Sequence, residues 1–140
     1  MKPLNSNVLL TAYKNTLYKI FYQDKEFKIE VDKRSDFVDK LLIDKGVTSY
    51  IFITAANPHS LLVSEAENEK ANLELENQIK QKALFYCKGV GESKDGEWKE
   101  DSFFVLGISL KEGMSIAKQF SQNAFLYGRK KTKTRLIWAD

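Results

Sequence analysis

The longest apolar run in this 140-residue chain is Phe103-Phe104-Val105-Leu106-Gly107-Ile108. It does not alternate with polar residues, so as a strand it offers no polar face to water and belongs at the centre of a sheet. The other apolar runs, Val8 to Leu10 and Tyr50 to Ile53, are shorter still. All fall far below the roughly 20 residues that a membrane-spanning helix requires. The chain must therefore build itself from short elements packed around this strand.

Those elements alternate in type. A short helix over Val8 to Tyr13 can open the chain. Leu17 to Tyr22 and Phe27 to Val31 then read as paired strands across the turn Gln23-Asp24-Lys25-Glu26, because Phe27, Ile29 and Val31 alternate with charge. Ser35 can cap a helix through Lys45, with Phe37, Val38, Leu41 and Leu42 as its apolar stripe and Gly46 at the C′ position. Val47 to Ala55 is a buried strand. A second helix starts at Ser64, where Ser64-Glu65-Ala66-Glu67 has capping-box spacing, and runs to about Lys82. Ala83 to Cys87 reads as a short strand, and Gly89-Val90-Gly91 with Ser93-Lys94-Asp95-Gly96 as a loop. Lys111 to Ser121 is a helix, and Ala124 to Tyr127 with Thr134 to Trp138 a closing hairpin. The order ββαβαββαββ, with the leading helix before it, predicts one α+β domain. It is expected as a two-layer unit with about three helices on a mixed β-sheet, or as a mixed-sheet α/β domain.

Charge and cysteine content narrow the setting. Net charge is +3, too small to imply a nucleic-acid partner by itself. Its distribution is bipolar, with Glu65, Glu67, Glu69, Glu74 and Glu76 along one helix and Arg129, Lys130, Lys131, Lys133 and Arg135 near the carboxyl end. The single cysteine, Cys87, rules out an internal disulfide and a multi-thiolate metal site, as expected in a reducing compartment. Met1-Lys2-Pro3-Leu4-Asn5 has no signal-peptide pattern, so a cytoplasmic location with no membrane partner is expected.

The stretch from Thr54 to Asn72 concentrates the polar chemistry. Thr54-Ala55-Ala56-Asn57-Pro58-His59-Ser60 leaves an apolar strand through a proline-fixed turn and leads to a capped helix, a geometry at which α/β proteins tend to hold ligands. On that helix Asn68, Asn72, Leu75 and Ile79 fall on one stripe, amide-bearing at its amino half and apolar at its carboxyl half. The amides can satisfy backbone groups of the preceding loop, or face the same cavity as Thr54 and Asn57 and recognise a polar ligand.

The other chemical candidates have ordinary explanations. His59 is the only histidine, which excludes a histidine-rich metal site, and after Pro58 it reads as a solvated loop residue. Cys87, beside Leu84-Phe85-Tyr86, reads as a small buried hydrophobe. Gly89-x-Gly91 lacks the third glycine and the strand-to-helix setting of a dinucleotide site, so no cofactor is expected. The acidic helix residues point around the cylinder and do not converge, so no metal site is expected either. Arg129 to Arg135, flanked by Tyr127 and Trp138, has the look of a nucleic-acid stripe with stacking aromatics but reads first as a solvated hairpin tip.

Several short motifs occur together in order: Ala12-Tyr13-x-x-Thr16-x-Tyr18, Ile53-Thr54-Ala55-Ala56-Asn57-Pro58-x-Ser60, Glu67-Asn68-x-x-x-Asn72-x-x-Leu75, Gly89-x-Gly91, Trp98-x-Glu100-x-Ser102-Phe103 and Phe120-Ser121-Gln122-Asn123-Ala124. The chain in this respect resembles the bacterial family catalogued as domain of unknown function 3293, over about residues 12 to 138. Two positions depart from the family pattern: Ser121 stands where relatives look like Phe-Gly-Gln, and His59 where they commonly show arginine or another residue. The resemblance implies no activity. It selects polar positions, namely Thr54, Asn57, Ser60, Asn68, Asn72, Glu100, Ser102, Gln122 and Asn123, and these are expected to converge near the end of the Val47 to Ala55 strand.

Two function classes are compatible with these residues. One is a domain binding a polar small molecule or nucleotide-like ligand at an amide-lined site, enzymatic if Glu100, the only strong acid or base among those nine selected positions, transfers a proton. The other is a non-catalytic interaction module that uses the basic hairpin for nucleic acid or a protein partner, including a homodimer that pairs acidic helix with basic hairpin.

Overall fold

The computed structural model describes residues 6–139; the Met1 to Asn5 segment read above lies outside them. In chain order the elements are α1 (Ser6–Lys14), β1 (Thr16–Tyr22), β2 (Lys25–Ile29), α2 (Asp36–Lys45), β3 (Ser49–Ile53), α3 (Glu65–Gln81), β4 (Tyr86–Ser93), β5 (Lys99–Leu106), α4 (Leu110–Gln119), β6 (Ala124–Arg129) and β7 (Arg135–Trp138). The seven strands form one sheet in the order β2-β1-β4-β5-β3-β6-β7, with β5, the apolar run, at its centre. The α+β architecture is as expected, but the sheet is not mixed, since every strand pair is antiparallel, and helices on both of its faces make three layers where two were expected.

Both faces of the sheet are covered. Ile51, Ile53, Phe103, Val105 and Phe125 pack with Leu75 and Ile79 of α3 and Ile116 and Ala117 of α4. On the opposite face Tyr50, Phe52, Phe104, Leu106 and Leu126 pack with Val38, Leu41 and Leu42 of α2. The physical reason is that β3, β5 and β6 carry large apolar residues at consecutive positions, so neither face can be left to water.

Local sequence explains most element ends. Ser35 accepts from the Val38 N–H, and Gly46, at φ 69°, closes α2 in the left-handed conformation that glycine adopts without a Cβ penalty. Ser64 caps α3 by accepting from Glu67 N at 3.1 Å, although the Glu67 carboxylate meets the Ser64 hydroxyl and not its backbone N–H. The β1–β2 turn is tighter than expected: only Gln23 and Asp24 lie between the strands, at φ 50° and 62°, as a two-residue hairpin turn requires.

The glycine-rich segment also departs from expectation. Gly89-Val90-Gly91 is not a turn but the middle of β4, paired with both β1 and β5. A Cβ on Gly89 would stand 2.5 Å from the Lys19 carbonyl oxygen and 2.8 Å from the Phe52 ring, so glycine serves close approach here. The strand also starts later than expected, because Ala83, at φ 56°, still belongs to the end of α3.

Helix α4 ends in a Schellman motif, with Gln122 N donating to Ala117 O and Ser121 N to Lys118 O. The motif forces Ser121 to φ 55°. Ser121→Gly is therefore expected to stabilise the protein by about 0.5–1 kcal/mol, the strain relieved less the extra entropy of unfolded glycine, and to raise Tm by roughly 2–4 °C in a thermal melt.

Candidate functional site

At Ile53 the β3 ladder ends, and the backbone N–H groups of Ala55, Ala56 and Asn57 must find partners elsewhere. All three are taken by side-chain oxygens. Ala55 N donates to Asn72 Oδ1 at 2.8 Å, Ala56 N to Thr54 Oγ1 at 3.0 Å, and Asn57 N to Asn68 Oδ1 at 2.8 Å. Asn72 Nδ2 and Thr54 Oγ1 then donate to the Asp101 carbonyl, at 3.1 and 2.6 Å, which ties the loop to β5. The turn that follows holds Asn57, His59 and Ser60 at positive φ. It is braced by His59 N on Ser121 O at 2.7 Å, Gln122 Nε2 on Ala56 O at 3.0 Å and Asn123 Nδ2 on Ser60 Oγ at 2.8 Å.

These bonds dictate the polarity of the next one. Since Asn68 Oδ1 accepts from a backbone N–H, its Nδ2 must face Asn57 Oδ1, to which it donates at 3.0 Å. Asn57 Oδ1 also accepts from Val63 N at 3.2 Å, so its own Nδ2 is left to donate to Glu100 Oε2 at 2.8 Å. Oε2 of Glu100 can therefore only accept. If the carboxyl is protonated, its hydrogen sits on Oε1, which has no bond among the described residues.

Glu100 stands at the wall of a cleft between α1, the loop and the start of β5. An outer space of about 200 Å³ adjoins an inner recess of about 60 Å³, and both are lined by Tyr13, Thr16, Asn57, Ser60, Trp98 and Glu100. Leu9, Ala12 and Leu62 complete the outer part, while Tyr18, Phe52 and Leu126 lie at the inner end. Among the described residues no Lys, Arg or His lines either part. Burial pushes the Glu100 carboxyl above the ordinary 4.5, and the Asn57 bond pulls it part of the way back. Burial also raises the Tyr13 phenol to about 12, with Ser60 opposing and the Glu100 charge adding to the rise. Larger grooves exist, about 320 Å³ beside Phe21 and Leu73 and about 300 Å³ beside Asn15 and Lys94, but their carboxyls are exposed apart from half-buried Glu76, which Tyr86 Oη already engages at 2.6 Å.

Of the residues selected from sequence, Thr54, Asn57, Ser60, Glu100, Ser102 and Gln122 line the cleft. Asn68, Asn72 and Asn123 lie behind it, holding the loop. Sequence reasoning missed Tyr13, Thr16 and Trp98 as cleft residues. The first two and Trp98 do sit in the recurring motifs, but aromatic residues read first as core. His59 is exposed and lines neither part of the cleft. Cys87 is buried, its thiol pushed up to about 11 by burial. Among the described residues no three acidic, histidine or cysteine side chains converge as a metal would need.

Two measurements test this arrangement. Asn72→Ala strips partners from a buried N–H and from a carbonyl, and is expected to cost about 2–4 kcal/mol, whereas Asn123→Ala, which loses an exposed bond, should cost under about 1 kcal/mol in denaturant unfolding. Glu100→Gln keeps an acceptor for Asn57 and cannot ionise. Because the folded pKa of Glu100 is raised, its ionisation costs native stability as pH climbs through that value, and below about 4.5 both states are protonated. The variant should melt above the wild type near neutral pH, and the difference should vanish as pH falls below about 4.5.

No curated protein and no solved structure matches the chain. A family profile does match, over residues 53–125, which is just over half of the chain. The matched span runs from the last residue of β3 through α3, β4, β5 and α4 into β6, and so contains Thr54, Asn57, Asn68, Asn72, Glu100 and Gln122, while the Ala12 to Tyr18 motif lies outside it. On that match the protein belongs to the family described as a protein of unknown function (DUF3293).

Proposed function

We propose that this domain binds a small polar ligand in the cleft between α1, the Thr54 to Val63 loop and β5. The supporting observation is Glu100, among the described residues the one charged group lining both parts of the cleft, with Oε2 fixed by Asn57 and Oε1 without a partner among those residues. The outer space of about 200 Å³ suits one flat ring, since cavities of about 150 Å³ hold benzene. A nucleoside-like or other heterocyclic ligand fits those dimensions, but a phosphate would find no cation in the cleft and would have to lie outside it. If the ligand is turned over, Glu100 is the acid or base. Its raised pKa brings the proton closer to the working range, and that proton sits on the oxygen with no protein partner.

Thr54, Ser102 and Gln122 then shape the inner wall, and Asn68, Asn72 and Asn123 position the loop. Trp98, whose side chain is left 39% exposed, offers the ring face. A thermal-shift screen of polar heterocycles and amines is expected to yield binders whose stabilisation is lost in Glu100→Gln and Trp98→Ala, both of which should remain folded. Binders that stabilise both variants as well as the wild type would place the site elsewhere.

A second reading is a docking surface for nucleic acid or a protein partner at the basic hairpin tip. What favours it is that Asp32 N on Thr134 O and Thr134 N on Lys33 O bring Lys33 and Arg34 beside Lys130, Lys131 and Lys133. Lys131 N also donates to Asp39 Oδ1 at 2.7 Å, which anchors the tip to α2. Against it, Tyr127 is buried and Trp138 packs edge-on against Tyr13, so neither flanking aromatic is placed to stack on a base at the tip.

A further inference from the structure

Resting on the cleft reading above, we infer that the ligand carries a cationic, N–H-rich head (ammonium, amidinium or guanidinium) on a flat apolar body, with the head on Glu100 and the body against Trp98 and Leu62.

The head follows from charge and from hydrogen-bond direction. Tyr13 of α1 and Tyr18 of β1 are the titratable groups that face Glu100, and both are phenols, neutral near pH 7 and made still weaker acids by burial; Asn57, Thr16, Ser60, Ser102 and Gln122 are uncharged. The ion pairs among the described residues, such as Arg34 with Asp39, all lie elsewhere. A carboxylate withdrawn from water is ordinarily paired with a cation, and the described residues supply none here. The relay through Asn68 and Asn57 has already committed Oε2 as an acceptor. Ionised Oε1 can likewise only accept, so the group it meets must donate, and an anionic ligand is repelled.

The body follows from what surrounds the mouth. Leu62 is 87% exposed in a loop whose backbone is bonded on both sides, and with Leu9, Ala12 and Trp98 it forms an apolar rim around one acidic wall. A ring seated there covers apolar surface that is otherwise wet, while its cationic substituent reaches inward to Glu100. The same head group occurs on free amines and amidines and on arginine side chains.

The test is calorimetric titration of the full chain with three near-isosteric probes: benzamidine, benzamide and benzoate. Benzamidine is expected to bind tightest, to lose roughly tenfold or more in affinity in Glu100→Gln, and to bind more tightly as pH rises through the Glu100 pKa. Benzoate should show no binding. Benzoate or benzamide binding as well as benzamidine would overturn the cationic head and leave the cleft reading intact, as would benzamidine binding unchanged in Glu100→Gln but lost in Trp98→Ala. Silence from all three probes would overturn both. Comparison with N-acetyl-arginine amide separates the sources: tighter benzamidine assigns a free small molecule, the reverse order an arginine side chain, and either order supports the head group.

Discussion

The structure around the cleft depends on one accounting problem, the three backbone N–H groups that leave the sheet after Ile53. Each would cost about 1–3 kcal/mol if buried without a partner. Asn72, Thr54 and Asn68 supply the three oxygens, and two of these come from α3. The helix is thereby fixed in rotation as well as position. Its stripe is amide-bearing where it meets a loop and apolar where Leu75 and Ile79 meet the sheet, because the sheet ends between the two halves.

The same bonds separate two roles that sequence reading had merged. Asn68 and Asn72 are tied to the protein at both ends of the amide, since their oxygens hold backbone N–H groups and their nitrogens donate to Asn57 and Asp101. They build the wall, and Glu100 with Tyr13, Thr16 and Trp98 faces into the space. The loop also couples distant segments. His59 N on Ser121 O and Gln122 Nε2 on Ala56 O join it to the end of α4, so left-handed residues at 57, 59, 60 and 121 cluster in one patch. Backbone held in such conformations persists only where surrounding contacts over-determine it.

Much of this was legible in the chain. The element order, the centre of the sheet, the caps at Ser35, Gly46 and Ser64, and the convergence of Asn57, Asn68 and Glu100 all follow from local chemistry and recurring motifs. What escaped was decided by tertiary contact. Gly89 has the composition of a turn, yet the approach of Lys19 O and Phe52 places it in a strand. Trp98 and Tyr13 have the composition of core, yet they meet across the end of the sheet, where α1 leaves a gap. No local pattern distinguishes a ring that fills a core from one that lines a cleft.

The choice of glutamate at position 100 carries the last step. A glutamine there would accept the same bond from Asn57, occupy nearly the same volume and never ionise in a half-buried place. For folding alone, the carboxyl offers nothing that the amide lacks, and above its raised pKa it costs stability. What it alone provides is a negative charge, or an exchangeable proton, on the oxygen that the Asn68–Asn57 relay leaves free. A residue that weakens the fold while equipping one atom with charge is intelligible through what that atom meets, and this is why the weight of the functional reading rests on Glu100 and not on the amides that hold it.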